Sequence, residues 1–373
     1  MARLEDVCSI NMGQSPESSS YNETGEGIPF FQGNADFGEL HPTVRVWCNA
    51  PTKIAKQGDI LISVRAPIGA LNIANVKCCI GRGLAALSVN ERLCYQKYLW
   101  YALECKVDEL NSKGTGSTFK AINKKTLAET EISLPLLDEQ RRIAAVLDKV
   151  SGLIAKRRAQ LDKLDLLVKA RFVEMFEHVS DQVLLSDVAE VTGGLTKNSK
   201  RKDFPIKLPY LRVANVFFDT IDTNEILEIG LTEEEKRKTL LQNGDLLFVE
   251  GNGNPEQIGR VAVWQDEIVP CVHQNHLIKA RFNLAKMLPT YAMTYFMTQK
   301  GREQIREKAV STSGLYTLSV SKIESLHIPF APMDRQLQFT DFKEKVDKSK
   351  LTIRQSLNKL ETLKKALMQQ YFG

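Results

Sequence analysis

The sequence lacks a long hydrophobic run and a paired-cysteine motif. No apolar run in its 373 residues approaches the ~18 residues that a membrane-spanning helix needs. The first residues, MARLEDVCSINMGQ, lack the apolar core of a signal peptide. The seven cysteines are an odd number and include no CxxC, which argues against a disulfide framework or a structural zinc site. These absences predict a cytoplasmic protein that does not associate with a membrane.

Motifs of catalysis are equally scarce. The sequence contains no GxxxxGK[ST] phosphate loop, no GxGxxG after a strand and no GxSxG. Asn254-Pro255-Glu256 lacks the second proline and the ring of the tetrapeptide with which amino-methyltransferases hold a flipped adenine. His273 and His276 form an HxxH, but in a strand that spacing puts the side chains on opposite faces. We therefore predict no catalytic residue, no metal site and no cofactor in this chain.

The composition is that of a globular protein with an uneven charge distribution. The length favours two or three domains, and 43% hydrophobic and 25% charged residues are ordinary values. The net charge is +5, and residues 139–178 and 334–373 hold more basic than acidic side chains, notably Lys156, Arg157 and Arg158. Charge alone does not separate a DNA-binding face from a solvated one.

The segment from Asp138 to about Phe176 predicts one long helix. Asp138 is placed to cap its start, and at ~1.5 Å per residue the helix is roughly 55–60 Å long. Apolar residues recur in alternating steps of four and three, the pattern of a coiled-coil seam. The seam residues are Ile143, Leu147, Val150, Ile154, Leu161, Leu164 and Val168.

The segment from Asp334 to Tyr371 repeats this pattern. Asp138 and Gln140 match Asp334 and Gln336 at an offset of 196 residues. The second seam contains Phe339, Phe342, Val346, Ile353, Leu357, Leu360, Leu363 and Leu367. The simplest arrangement is an antiparallel coiled coil with a globular unit at each end. The alternative is an ordinary helical hairpin inside an enzyme.

The segments between the helices also share landmarks in the same order. Gly58-Asp59-Ile60-Leu61 parallels Gly244-Asp245-Leu246-Leu247, in each case a turn feeding an apolar strand. Ile132-Ser133-Leu134-Pro135 parallels Leu326-His327-Ile328-Pro329 before each helix. We therefore predict an α+β tandem repeat with two globular domains and two spacer helices. The predicted bounds are 1–137, 138–178, 179–333 and 334–373.

In this architecture the chain resembles the specificity (S) subunits of type I restriction-modification systems over nearly its whole length. The resemblance is carried by the two Gly-Asp turns, the long helices and three further motifs, namely Gly81-Arg82-Gly83-Leu84-Ala85, Gly116-Ser117-Thr118-Phe119-Lys120 and Asp138-Glu139-Gln140-Arg141-Arg142-Ile143. The second half departs from the pattern, because Gln274-Asn275-His276-Leu277 replaces the Gly-Arg-Gly-Leu stretch and Asp334-Arg335-Gln336 replaces Asp-Glu-Gln.

The resemblance implies a non-catalytic subunit whose two target-recognition domains read a bipartite, asymmetric and gapped double-stranded DNA site. It implies that the helical pair sets the gap and docks two methyltransferase subunits, which bind S-adenosylmethionine. Two motor-nuclease subunits that use ATP and Mg complete the restricting complex. The alternative is a protein-binding scaffold with a coiled-coil ruler and no DNA affinity. A self-contained restriction enzyme would need catalytic motifs that are absent.

Candidate DNA-contacting residues are polar side chains in loops at matching landmarks. Base edges are read by arginine on guanine and by asparagine or glutamine on adenine. In the first domain the candidates are Gln32, Asn34, Arg65, Arg82, Ser117 and Lys120. In the second they are Arg212, Asn215, Asn252, Asn254, Gln274, Asn275 and Tyr316. Candidate phosphate contacts, which position without specifying, are Lys113, Lys308, Lys156, Arg157 and Arg158.

A partner-facing surface is expected beside the seam of the helices. Its candidate residues are Leu153, Leu166, Leu167, Phe172 and Phe176. The alternative is that these residues belong to a wider seam.

Overall fold

The computed structural model describes residues 1–116, 120–312 and 314–373 and divides into two compact units. Unit 1 contains Met1–Arg158 and Arg354–Gly373, and unit 2 contains Ala159–Ile353. Two helices of 40 residues contribute to both units. The predicted α+β class is confirmed.

Unit 1 is built on two antiparallel-rich sheets. Its strands are β1 (Ala2–Arg3), β2 (Cys8–Met12), β3 (Tyr21–Asn22), β4 (Ile28–Phe31), β5 (Val46–Cys48), β6 (Ile54–Ala55), β7 (Ile60–Ser63), β8 (Leu71–Ile73), β9 (Cys78–Ile80), β10 (Leu84–Val89) and β11 (Glu131–Ile132). Its helices are α1 (Leu4–Val7), α2 (Gln96–Cys105), α3 (Val107–Ser112), α4 (Lys124–Ala128) and the first long helix, α5 (Leu137–Phe176). One sheet has the order β2-β10-β7-β8 and the other β3-β5-β4-β9-β6, in which β4 and β9 are parallel.

Unit 2 has a sheet with the corresponding order, β13-β22-β18-β20. Its strands are β12 (Gln182–Leu184), β13 (Ala189–Gly193), β14 (Ile206–Leu211), β15 (Val216–Phe217), β16 (Thr220–Ile221), β17 (Leu227–Leu231), β18 (Leu246–Val249), β19 (Gly251–Asn252), β20 (Val261–Val263), β21 (Val272–His273), β22 (Leu277–Phe282), β23 (Val310–Thr312), β24 (Leu315–Thr317) and β25 (His327–Pro329). Its helices are α6 (Leu185–Val188), α7 (Glu233–Thr239), α8 (Pro289–Met297), α9 (Gln299–Lys308), α10 (Val320–Glu324) and the second long helix, α11 (Met333–Phe372). Strands β14 and β21 are parallel, as β4 and β9 are in unit 1.

The two Gly-Asp turns form as predicted and start the central strands β7 and β18. Gly58 and Gly244 have φ angles of 91° and 90°, a left-handed conformation that glycine adopts without a steric cost. The Asp59 carboxylate accepts the Lys56 backbone N–H at 2.7 Å, and Asp245 accepts that of Gln242 at 2.8 Å. Each aspartate therefore closes its own turn.

A buried glutamine fixes the start of helix α5. Gln140 has no exposed surface. Its Oε1 accepts the Tyr95 backbone N–H at 2.7 Å, and its Nε2 donates to the carbonyls of Leu93 at 3.0 Å and Pro135 at 2.8 Å. The side chain thus satisfies two backbone groups before α2 and one before α5.

The same arrangement recurs at the start of helix α11. Gln336, also without exposed surface, accepts the Leu288 N–H at 2.9 Å. Its Nε2 donates to the carbonyls of Ala331 at 2.8 Å and Lys286 at 3.3 Å. The 196-residue offset seen in the sequence therefore corresponds to an equivalent contact in each unit.

Replacing Gln336 with alanine is expected to lower the free energy of unfolding by about 2–4 kcal/mol, because three buried backbone groups lose their partner. Gln338, which is exposed two residues further along the same helix, provides the matched alanine control. The measurement is urea unfolding followed by circular dichroism. Equal midpoints for the two variants would contradict the structural role.

The two long helices are confirmed, with small differences from the predicted bounds. Helix α5 begins at Leu137 rather than Asp138, because the Gln140 N–H already donates to the Leu136 carbonyl at 3.0 Å. Asp138 therefore lies within the first turn, where a negative charge is favourable next to the helix dipole, and does not cap the helix. Helix α11 extends from Met333 to Phe372.

The predicted seam residues of both helices differ in burial. The buried ones are Ile143, Leu147, Val150, Ile154, Val168, Phe339 and Val346. The half-buried ones are Leu161, Leu164, Phe342, Ile353, Leu357, Leu360 and Leu367. Leu363 is 46% exposed. In α11 the steps of four and three that start at Phe339 continue through Lys343 and Lys350, which are also buried.

Two predicted partner-facing residues instead belong to the core of unit 2. Phe172 and Phe176 are 3% and 4% exposed. The Phe176 ring meets that of Tyr291 at 4.8 Å, and the Phe172 ring meets that of Phe339 at 5.2 Å. Their large apolar surface is buried because α5 packs against α8 and α11 within this unit. Leu153, Leu166 and Leu167 are exposed, as a partner-facing surface requires.

Candidate functional site

The first group of candidate residues in unit 1 lies where β4 ends beside the loop that precedes β10. The Gly83 N–H donates to the Gln32 carbonyl at 3.2 Å, and Arg82 directly precedes Gly83. Asn34 follows in a short 3-10 turn, Asn34–Asp36. The fold therefore brings Gln32, Asn34 and Arg82 together from segments that are distant in sequence.

The loop that follows β2 meets the same place. The Gly13 N–H donates to the Leu84 carbonyl at 2.9 Å, and the Arg82 N–H donates to Ser15 Oγ at 3.3 Å. Gly13 has no room for a side chain, since a Cβ there would lie 2.1 Å from the Gly81 carbonyl oxygen. Three backbone segments thus converge around Arg82.

Unit 2 contains the same convergence with different side chains. The Gln274 N–H donates to the Leu211 carbonyl at 3.0 Å, which places Gln274 beside Arg212. The Asn275 N–H donates to the Leu195 carbonyl at 3.0 Å, so that the loop after β13 again completes the arrangement. Arg212, Gln274 and Asn275 are therefore brought together where unit 1 has Gln32 and Arg82.

A second group lies beside the end of β7 in unit 1. The Ala66 N–H donates to the Lys120 carbonyl at 3.0 Å, and Arg65 pairs with Ala121 in an isolated bridge. Lys113 follows helix α3 on the same loop. Ser117 lies outside the described residues.

In unit 2 the second group lies on a small sheet. Asn252 pairs with Tyr316 across strands β19 and β24. Asn254 follows two residues later, and Lys308 ends helix α9 directly before β23, the other neighbour of β24. Each unit therefore presents two groups of candidate residues.

Many candidate side chains are available for a ligand. Within the described part of the chain, the exposed or half-buried candidates that form no side-chain hydrogen bond are Gln32, Asn34, Arg65, Arg82, Lys120, Lys156, Gln274, Asn275, Lys308 and Tyr316. Free amides and guanidinium groups of this kind are the donors and acceptors that base edges require. Their contact with DNA stays a prediction.

Asn215 is used inside the protein. It is 3% exposed, its Oδ1 accepts the Arg212 N–H at 2.9 Å, and its Nδ2 donates to the carbonyls of Asp222 and Glu225 at 2.9 and 3.0 Å. Both polar groups of the amide have internal partners, which favours a structural role in holding the loop that carries Arg212.

Other candidates form ion pairs. Arg212 lies 3.2 Å from Glu225, Lys113 lies 2.6 Å from Glu109, and Arg158 lies 2.7 Å from Glu361. The pairs of Lys113 and Arg158 are exposed and contribute ~0–1 kcal/mol, so these two cations can exchange their partners for a phosphate. In the rest of the helix cluster Lys156 is exposed and Arg157 is half-buried.

The loop that carries Asn252 and Asn254 is held in place by a half-buried arginine. Arg302 donates to the carbonyls of Glu256 at 3.3 Å and Gly259 at 3.0 Å, and its guanidinium lies 5.0 Å from the Phe218 ring centroid. Burial, followed by the nearby Arg306, lowers the pKa of Arg302 to about 10. The arginine is still charged at neutral pH and orders this loop.

The two histidines of the HxxH motif point to different partners. His273 is fully buried with its Nδ1 2.9 Å from the Leu277 carbonyl, whereas the exposed His276 lies 2.8 Å from Glu250. Burial, followed by the charge of Lys279, lowers the pKa of His273 to about 4. His273 is therefore a neutral donor inside the core.

Stability is expected to fall as the pH is lowered from about 6.5, the ordinary histidine pKa in an unfolded chain, to about 4, the pKa of folded His273. The unfolded state binds a proton at a higher pH than the folded state does, so the free energy of unfolding decreases by up to about 3 kcal/mol across this pH window. The check is urea unfolding at several pH values. His273→Asn should flatten the slope, and the same change at exposed His178 should leave it unaltered.

One segment beside these residues carries no candidate from the sequence analysis. Residues 194–205 contain Lys197, Lys200, Arg201 and Lys202. The available signal was the contrast with residues 13–27 at the same landmark in unit 1, which hold no basic side chain. The candidate residues were chosen at landmarks that both halves share, and this segment differs between the halves.

The described residues contain neither a cluster of three potential metal ligands nor a helix long and apolar enough to cross a membrane.

A protein-family model described as the type I restriction modification DNA specificity domain matches residues 1–164 and again 180–362. These two matches account for most of the chain, one in each half. The chain belongs to this family.

Curated relatives agree with the family match. A putative type I restriction enzyme MjaX specificity subunit from Methanocaldococcus jannaschii is 44% identical over 161 residues, covering 43% of this chain and 38% of the relative. The EcoKI specificity subunit from Escherichia coli K12 is 23% identical over 274 residues, covering 67% of this chain and 58% of the relative. The matched region thus spans only about two fifths to three fifths of the length of these relatives.

The fold also resembles a solved structure along the whole chain. A crystal structure of a type I restriction-modification system S subunit from M. genitalium has a TM-score of 0.58 at 15% identity. The match covers 100% of this chain and 95% of that one. At this identity the likeness concerns the fold.

Proposed function

We propose that this chain is the non-catalytic DNA-recognition subunit of a type I restriction-modification complex. Unit 1 reads one half of a bipartite double-stranded site, and unit 2 reads the other. The side chains that read bases lie in the two loop groups of each unit, with Arg82 and Gln32 central in unit 1 and Gln274 and Asn275 central in unit 2.

One observation carries the proposal, which is that equivalent backbone frameworks present different side chains. The loops after β2 and β13 dock on the loops before β10 and β22 through corresponding hydrogen bonds. Arginine favours guanine, whereas glutamine and asparagine favour adenine. Two units with equivalent backbones and different base-contacting side chains are suited to an asymmetric DNA site whose two halves differ in sequence.

The helices α5 and α11 supply the gap and the partner surface in this proposal. They pair as an antiparallel coiled coil, consistent with the Arg158–Glu361 pair in unit 1 and the 2.5 Å Lys350–Asp165 pair in unit 2. Exposed Leu153, Leu166 and Leu167 contact two methyltransferase subunits, which bind S-adenosylmethionine. Two motor-nuclease subunits that use ATP and Mg complete the complex.

The test is the methylation pattern of DNA from cells that co-express this chain with the methyltransferase encoded beside it, read by single-molecule sequencing. The expected result is one asymmetric, gapped motif with N6-methyladenine in each half. If the two proteins co-purify and no motif is methylated, DNA recognition is wrong and the protein-binding scaffold becomes the better account.

Exchange of residues 1–137 for the first domain of another family member is expected to change one half of the methylated motif and leave the other intact. The physical reason is that each unit has its own core and its own loops. Insertion of four residues beside Gly152 in α5 should change only the gap. A change in both halves after the domain exchange would contradict separate readers.

A further inference from the structure

The segment between β13 and β14 in unit 2 is a basic loop that contains a short 3-10 turn, Ser199–Asp203. Lys197, Lys200 and Lys202 are exposed, and within the described residues no carboxylate pairs with them. The nearby acidic residues Glu233 and Glu234 are occupied by lysines of their own helix, α7. Three cationic side chains are therefore free on one short segment.

A buried arginine holds this loop in place. Arg201 is 7% exposed and forms a two-pronged pair with Glu235 at 2.9 and 3.2 Å. It also donates to the Gly230 carbonyl at 3.0 Å. The hydrogen bond from the Arg201 side chain to Glu235 lowers the pKa of Glu235, so the carboxylate is ionised at neutral pH. The ion pair holds Arg201 in the interior, while Lys200 and Lys202 on either side of it remain exposed to solvent.

The backbone also connects this loop to the candidate base readers. The Leu195 N–H donates to the His273 carbonyl at 2.9 Å, and the Asn275 N–H donates back to the Leu195 carbonyl at 3.0 Å. Lys197 is only two residues beyond this contact, a reach of at most ~7 Å. Lys197 therefore lies beside Gln274 and Asn275, where the DNA backbone must pass if these amides reach a base. Lys200 and Lys202 follow on the short 3-10 turn Ser199–Asp203.

Unit 1 has the opposite charge at the matching place. Residues 13–27, between Gly13 and strand β4, hold Glu17, Glu23 and Glu26 and no basic residue. Residues 194–205 hold four basic residues and a single acidic one, Asp203. The two loops occupy equivalent positions in the two units. The basic loop of unit 2 attracts a phosphate, whereas the acidic loop of unit 1 repels it.

We propose that Lys197, Lys200 and Lys202 form a phosphate-binding surface that anchors unit 2 to the DNA backbone regardless of sequence, and that the matching loop of unit 1, residues 13–27, has no counterpart. This inference rests on the proposed function. Each phosphate contact releases counterions from the DNA. In a plot of the logarithm of the binding constant against the logarithm of the salt concentration, each contact steepens the negative slope by about 0.9. This loop therefore adds phosphate contacts to unit 2 that the matching loop of unit 1 does not provide.

The test compares the methyltransferase complex of the unsubstituted chain with that of K197A/K200A/K202A. Fluorescence anisotropy gives the affinity for the methylated motif's duplex and for an unrelated duplex at several salt concentrations. We expect both affinities to fall at least 10-fold by the same factor and the salt slope to decrease by about 2–3. The methylated motif stays the same. K197R/K200R/K202R, which keeps the charges, should retain both affinities.

Two outcomes would overturn the proposal. The first is an unchanged affinity for the unrelated duplex, and the second is a loss confined to the cognate duplex, which would make the lysines base readers. Thermal unfolding of the alanine variant guards against a folding defect, since exposed lysines remote from the core should leave the melting temperature unchanged. If the unsubstituted complex methylates a motif, a failure here leaves the proposed function standing.

Discussion

Replacing Lys343 with alanine is expected to lower the free energy of unfolding by about 3–5 kcal/mol, the usual cost of removing one partner of a buried ion pair. The Lys343 ammonium lies 2.9 Å from Asp219 and 2.7 Å from Asp347, and its side chain is 6% exposed. Burial by itself lowers the pKa of Lys343, but the two carboxylates outweigh it and raise the pKa above its ordinary value. The lysine is therefore charged in the folded protein.

The same two carboxylates, of Asp219 and Asp347, also form ion pairs with Lys350. Lys350 lies 3.5 Å from Asp347 and 3.9 Å from Asp219. Alanine at position 343 leaves Asp219, which is only 21% exposed in its side chain, with the more distant lysine alone. The loop between β15 and β16 then loses its closest attachment to helix α11.

Urea unfolding monitored by circular dichroism measures this effect, with Lys345→Ala as the control. Lys345 is exposed on the same helix, and its substitution should change stability by no more than about 0.5 kcal/mol. A double-mutant cycle with Asp219→Ala then gives the coupling between the two residues, expected at about 0.5–3 kcal/mol. Equal stability of the two lysine variants would show that the buried pair contributes nothing.

Replacing Gly194 with alanine is expected to abolish recognition of the second half-site. An added Cβ would lie 2.3 Å from the His273 carbonyl oxygen and 2.4 Å from that of Gln274. Both obstacles are backbone atoms, so the loop that carries Gln274 and Asn275 must move. Overpacking costs about 1–3 kcal/mol, and displaced readers lose the ~1–3 kcal/mol of discrimination that each good base contact provides.

The neighbouring Gly193 provides a matched control. A Cβ at Gly193 meets nothing closer than 3.7 Å, so Gly193→Ala should keep the methylated motif. Single-molecule sequencing of DNA methylated by each variant makes the comparison. Methylation by the Gly194 variant at the original site and rate would show that these loops do not read the DNA. Circular dichroism distinguishes a Gly194 variant that is folded but fails to recognise the site from one that is unfolded.

The sequence by itself determined the α+β class, the two long helices and the turns that start β7 and β18. These features depend on signals within a few residues, such as apolar steps of three and four or a glycine before an aspartate. The 196-residue offset also predicted that Gln140 and Gln336 are equivalent. It did not predict that both are buried, because glutamine is usually exposed.

The tertiary structure alone decided which polar side chains face inward. Lys343 and Lys350 lie at buried steps of the α11 seam that the sequence analysis left out, because a lysine is normally solvated. Their ammonium groups are paired with carboxylates far away in sequence, Lys343 with Asp219, 124 positions away, and Lys350 with Asp165 at 2.5 Å. Asn215, which resembles a base reader in the sequence, uses its amide within its own loop.

The grouping of the candidate readers also required the fold. Arg82 and Gln32 meet because β4 and β9 are parallel neighbours, and Gln274 meets Arg212 because β14 and β21 are. Pairing between strands is set by long-range packing and leaves no mark at a fixed spacing along the chain. The sequence therefore determined the frame, and contacts between distant residues decided which side chains remain free to meet a ligand.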